Sequence, residues 1–153
     1  MQRYQIKQST RMLLLALSVG YAGMSQAHEE SGVMGEQADF LGYALVSCES
    51  PSSYFEAAIK DLSGAVAGLY VNLQIIKGSQ ADSTTDPVSG DNDFSSYARV
   101  DGGTGTYQLL VNKTAAGLRA FEVSFHCKVD NGLPGGEHTE TRITVKQFSS
   151  LNN

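Results

Sequence analysis

Apolar and polar side chains alternate along much of this chain with a period of two residues. The clearest case is LRAFEVSFHCK, residues 118–128, in which the following side chains are expected to face inward: Phe121, Val123, Phe125 and Cys127. Successive side chains of a β-strand point to opposite faces, so this period is typical of a strand with one buried face. The same period recurs in DFLGYALVSC, LYVNLQIIK, TYQLLVNK and TETRITVKQF. The alternation therefore constrains the chain to a β-rich fold.

The segments between these strands contain residues that favour turns. DGGTG, TAAG and DNGLPGG supply glycine, asparagine and aspartate, which tolerate tight bends. A shorter strand is predicted in FSSYARV, whereas SYFEAAIKDL is compatible with a strand or a helical turn. About seven to eight strands without a long helix predict an all-β fold, a single antiparallel β-sandwich of jelly-roll or Ig-like type. We expect this domain over residues 39–153.

The side chains on the predicted inner faces of the strands are the candidate core. In the last strand they include Thr141, Ile143 and Val145. The chain has two cysteines, Cys48 and Cys127, and both fall on predicted inner faces. In an oxidising compartment such a pair is expected to form one disulfide, here closing the sandwich.

Residues 1–27 have the composition of a bacterial Sec-type signal peptide. A basic segment is followed by a short apolar run, MLLLALSVG at 12–20, and no acidic residue precedes Glu29. The run is too short to span a bilayer as a stable helix, so no membrane insertion is expected once the signal is removed. We predict a secreted or periplasmic protein.

The predicted cleavage site precedes His28. Ser25 and Ala27 place small residues at the −3 and −1 positions, as signal peptidase requires. Residues 28–38, HEESGVMGEQA, have no apolar period, and a flexible N-terminal tail is predicted there.

The charge balance restricts the classes of partner. The chain has 11 Lys and Arg against 16 Asp and Glu, and loss of the three basic residues in 1–27 takes the net charge from −5 to −8. Such an acidic chain is not expected to bind nucleic acid or anionic lipid. A protein or saccharide ligand is consistent with it.

The segment GGTGTYQLLVNKTAAGLRAFEVSF, residues 102–125, combines a Gly-Thr-Tyr strand, a glycine-bearing turn and a strand with aromatic residues. In this it resembles the second half of bacterial pre-peptidase C-terminal domains, over roughly half of the chain that follows residue 27. The resemblance implies a small secreted β-sandwich that assists substrate or surface binding, or processing. Such domains usually accompany a protease, whereas we expect this chain to be a stand-alone domain, so an accessory role to a protease is not carried over.

The sequence offers little support for catalysis. It has no G-x-S-x-G motif, both cysteines are predicted to be bridged, and the three histidines lie in no local motif. A catalytic carboxylate pair needs no local motif, which keeps a small hydrolase as a third alternative. The leading interpretation is a non-catalytic binding or accessory module.

An acidic segment, ADSTTDPVSGDNDFSS, is a candidate calcium site. It carries four carboxylates, Asp82, Asp86, Asp91 and Asp93. Ca²⁺ prefers hard oxygen ligands, but the segment lacks the spacing of a defined calcium loop. The alternative is a solvated loop in which aspartates cap turns.

The histidines suggest copper as a second candidate. After cleavage, His28 would offer an α-amine and an imidazole, which together favour Cu(II). His126 and His138 are predicted on outward faces, and a hairpin centred near residue 132 would set them opposite each other. The alternative function is thus a periplasmic copper-binding protein using His28, His126 and His138. The competing interpretation is that His126 and His138 are two exposed polar residues on a solvated face.

Overall fold

The computed structural model describes residues 28–149, which form two antiparallel sheets packed face to face. The strands are β1 His28–Met34, β2 Gly42–Cys48, β3 Tyr54–Asp61, β4 Val71–Lys77, β5 Gln80–Thr85, β6 Ala98–Val100, β7 Gly105–Lys113, β8 Arg119–Val129, β9 Glu137–His138 and β10 Thr141–Gln147. The first sheet has the order β1-β8-β3-β6, with β9 also pairing with β8. The second has the order β10-β2-β7-β4-β5. The predicted all-β sandwich is confirmed.

The strand count exceeds the seven or eight expected because several segments without a clear apolar period are also strands. SYFEAAIKDL forms β3 and not a helical turn, and the start of the acidic segment forms β5. The predicted signal peptide, and the end of the predicted domain at 150–153, lie outside the described residues. Within 28–149 no helix is long and apolar enough to cross a membrane.

The prediction of a flexible tail over 28–38 is wrong for residues 28–34, which form β1 along the edge of β8. Backbone hydrogen bonds to β8 hold this segment, and such bonds need no alternation of apolar side chains in the sequence. Gly32 lies so close to Phe121 that a Cβ there would stand 2.5 Å from the ring. Met34 is buried, and the Val33 amide donates to the Phe148 carbonyl at 3.0 Å. The segment is therefore a docked strand.

The core lies between the two sheets. Its aromatic members include Phe55 and Tyr107, which face each other across the sandwich with ring centroids 5.1 Å apart. The predicted inner faces of β2, β4, β7 and β8 are buried. The last strand differs, since Val145 is 39% exposed and Ile143 is only partly buried. β10 is an edge strand of the second sheet, so its apolar side chains are incompletely covered.

The predicted disulfide is confirmed. Cys48 at the end of β2 and Cys127 in β8 are bonded, with their Cα atoms 5.4 Å apart. β2 belongs to the second sheet and β8 to the first, so the bond joins the two sheets across the core. It also fixes the segment of β8 that carries His126.

Candidate functional site

His126 lies on the outer face of the first sheet, opposite Glu56 of β3. It was expected to be solvent-exposed, and that expectation is wrong, because the side chain is only 4% exposed. Its strand neighbours on the same face, Ser124 and Lys128, are also buried. The ring of Tyr97, just before β6, stands 6.3 Å from the His126 ring, centroid to centroid. Neighbouring side chains thus cover what the sequence pattern marks as a solvated face.

The second side chain that covers His126 is His138. The predicted register set these two residues directly opposite, but β9 is shifted by two residues, so His138 pairs with Lys128. The rings nevertheless meet, with centroids 4.4 Å apart and planes at 62°. Diagonal neighbours on one sheet face remain within reach of aromatic side chains. The predicted register is therefore wrong, and the two imidazoles meet through a diagonal contact instead.

One nitrogen of His126 lacks a hydrogen-bond partner. Its Nε2 lies 3.3 Å from the Ser124 hydroxyl, whereas Nδ1 is buried and has no such partner in residues 28–149. Burial lowers the pKa of His126 to about 4, and the nearby His138, Lys128 and His28 add to this effect. Burial also lowers the pKa of His138, with Lys128 adding to the shift and Glu56 opposing it. Both imidazoles are therefore neutral at pH 7.

Charged groups surround the two rings in fixed positions. The Lys128 ammonium lies 2.5 Å from the Glu56 carboxylate, and both side chains are largely buried. Tyr97, whose ring lies 6.3 Å from that of His126, is 48% exposed. We call this surface, formed by Glu56, Tyr97, His126, Lys128 and His138, the histidine face. It combines an exposed aromatic ring, two neutral imidazoles and an ion pair.

His28 lies near the histidine face but points elsewhere. The β1 register places it opposite Phe125, and its ring stacks on Phe125 at 5.7 Å, on the inner side of the sheet. In the described part of the chain, no three His, Cys, Asp or Glu side chains are grouped so as to hold a metal ion. The structure thus brings two of the three predicted copper ligands into contact and leaves the third imidazole on the other side.

The four aspartates of the predicted calcium site do not converge. Asp82 accepts the Arg99 amide at 2.8 Å, and Asp86, which is buried, accepts the Asp61 amide at 2.6 Å. Asp91 accepts the Asp93 amide at 3.0 Å. Asp91 therefore caps a turn, and Asp86 does so too by accepting the Val88 amide at 3.0 Å. The bonds of Asp82 to Arg99 and of Asp86 to Asp61 instead tie distant parts of the chain together. The geometry adds no support to the calcium hypothesis.

A buried ion pair was not anticipated from the sequence. The Arg119 guanidinium at the start of β8 lies 3.4 Å from the Asp61 carboxylate at the end of β3, and the side chains are 1% and 0% exposed. Arg119 also donates to the Gly64 carbonyl at 2.6 Å, and Asp61 accepts the Ser63 amide at 2.9 Å. No local pattern links the two residues, because strand pairing alone brings them together. Glu56, Lys128 and Tyr97 were missed for the same reason.

Comparisons with models of protein families, with curated proteins and with solved structures found no match. The resemblance of residues 102–125 to pre-peptidase C-terminal domains therefore stays a prediction.

The burial of His126 has a consequence for pH dependence. Its pKa in the folded state is about 4, below the ordinary 6.5 of the unfolded chain, so the unfolded state binds more protons between these values. Above about pH 6.5 the burial of His126 therefore costs no stability through protonation. The loss of unfolding free energy due to His126 grows as the pH falls toward 4. We expect the metal-free protein to lose about 2 kcal/mol more of its unfolding free energy between pH 7 and pH 5 than His126→Gln does.

Urea denaturation of both proteins at the two pH values, in buffer with a chelator, measures this difference. Because every other titrating group is shared, His126→Gln serves as the matched control. Equal losses in the two proteins would contradict the burial of a neutral imidazole at this position.

Proposed function

We propose that the protein is an exported, non-catalytic β-sandwich that acts by binding, and that the histidine face is its ligand surface. The observation that supports this most is the exposed Tyr97 ring beside polar groups that are already held in place. Ligand sites typically combine aromatic surface with a few fixed polar groups. Export is supported by the composition of residues 1–27 and by the disulfide, which is compatible with an oxidising compartment.

The chemistry of the histidine face favours a neutral saccharide as ligand. Tyr97 offers a flat apolar ring, and His138, exposed and in contact with His126, offers an imidazole that donates or accepts hydrogen bonds. Glu56 and Lys128 restrain each other, which lowers the entropy that binding would otherwise cost. The acidic balance of the chain disfavours an anionic ligand. The resemblance of residues 102–125 to secreted accessory domains points to the same kind of role.

Binding to a saccharide array tests this proposal, with Tyr97→Ala and Tyr70→Ala as matched variants. Both tyrosines are partly exposed, at 48% and 39%, but Tyr70 lies next to β4 of the second sheet. We expect Tyr97→Ala to weaken binding about tenfold or more and Tyr70→Ala to leave it unchanged. Equal binding by the two variants would contradict the assignment of the surface. Turnover of a bound saccharide would contradict a non-catalytic role.

A further inference from the structure

We propose that the histidine face also holds a Cu(II) ion, bound by His126, His138 and the α-amine of His28. The proposal rests on the export proposed above, because the amine exists only after the bond between Ala27 and His28 is cut. That hydrolysis consumes one water, leaves a carboxylate on Ala27 and frees an amine on His28. Until then the same nitrogen is an amide, which is a poor metal ligand.

The first support is the pair of imidazoles. Their rings are in contact at 4.4 Å, close enough for two nitrogens to share one ion after side-chain rotation. Nδ1 of His126 is buried without a hydrogen-bond partner among the described residues, and such orphaned groups are costly and uncommon in proteins. A bound metal ion would satisfy this nitrogen. His138 is exposed, so an ion can approach from solvent.

The second support is the position of the His28 nitrogen. β1 pairs with β8 up to His28 opposite Phe125, and β9 begins its pairing at Lys128. The edge of β8 at His126 therefore faces the gap between the two partner strands. Neighbouring strands lie about 5 Å apart, which places the start of β1 within reach of His126. Cleavage before His28 would thus create an amine at the edge of the histidine face.

The ligand set and its charges favour Cu(II). Nitrogen donors bind Cu(II) most tightly among the divalent first-row metals, and an oxidising compartment maintains that oxidation state. The positive charge of Lys128 is offset by Glu56, and Glu29, opposite Ser124 in the β1 register, adds negative charge nearby. Because no third side chain in residues 28–149 completes the site, the third ligand has to come from the backbone amine.

Copper titration of two forms of the protein tests this inference. One form begins at His28, and the other retains Met24–Ala27 while keeping every side chain of the site. The extension has four residues for a reason. One or two added residues would make His28 the second or third residue of the chain, and there its imidazole and the new terminal amine would themselves chelate copper. We expect one Cu(II) per chain in the His28 form. Its affinity for Cu(II) should exceed that of the extended form, and of His126→Gln and His138→Gln, by about 100-fold or more. Mutation of residues that only hydrogen-bond to metal ligands already lowers metal affinity by about 10- to 100-fold.

Circular dichroism of each variant verifies folding, and the extended form supplies the comparison if a histidine variant fails to fold. Equal affinity of the His28 and extended forms would overturn the inference while leaving saccharide binding untouched. Full affinity in His126→Gln and His138→Gln would mean that the terminus binds copper alone, which also overturns it. The intact mass of the secreted protein tests export separately, since a start other than His28 contradicts the cleavage site.

Discussion

Replacement of both cysteines, as Cys48→Ala with Cys127→Ala, is expected to lower the free energy of unfolding by about 4 kcal/mol. The bond closes a loop between residues 79 apart in sequence, so its removal greatly enlarges the conformational freedom of the unfolded chain. It also joins the two sheets directly. A loss of this size is a large part of the stability of a small domain. Urea denaturation of the oxidised wild-type protein and of the double variant measures it.

The reduced wild-type protein is the matched control for this experiment. It retains both sulfur atoms in the core but lacks the bond, so we expect its stability to lie close to that of the double variant. The denaturant dependence should rise in both, because an unfolded chain without the cross-link exposes more surface. A loss in the variant without one on reduction would assign the effect to packing of the sulfur atoms and not to the cross-link.

The second large effect is expected at the buried ion pair. Arg119→Met should destabilise the protein by about 3–5 kcal/mol, because it leaves the Asp61 carboxylate buried without its countercharge. Adding Asp61→Asn to that variant should recover part of the loss. The amide removes the charge while its oxygen can still accept the Ser63 amide. Thermal or urea unfolding of the single and double variants tests both expectations.

Arg142 provides the control for this pair. Arg142 and Glu140 form an exposed ion pair at 2.6 Å, with side chains 67% and 60% exposed, and Arg142→Met is expected to cause no measurable loss. Comparable losses at Arg119 and Arg142 would contradict the role assigned to burial. A double variant less stable than Arg119→Met would show that the Asp61 charge is not the source of the instability.

The sequence predicts the sandwich well because its core strands alternate in a way that few other structures allow. β7 and β8 are examples, and the inward position of Cys127 follows from the same period. The period does not identify β1, which is held by backbone pairing and by the close approach of Gly32 to Phe121. Local pattern cannot reveal a contact whose partner lies elsewhere in the chain.

The candidate site was predictable only in part, for a related reason. The alternation of apolar and polar residues places His126 on the outer face of its strand, but it does not predict which side chains cover that face. The diagonal contact with His138 depends on a hairpin register that differs from the expected one by two residues. Glu56, Lys128 and Tyr97 come from separate strands and loops, so only the assembled sheet brings them together.

The bridge between Val33 and Ser149 covers part of an edge at which strands of two molecules could pair. β1 is the outermost strand of the first sheet, and an unpaired outermost strand can recruit a strand from another molecule. Here the Val33 amide donates to Phe148, which follows the outermost strand of the second sheet. The same hydrogen bond that orders the start of the domain thus occupies part of the edge along which two copies could otherwise join.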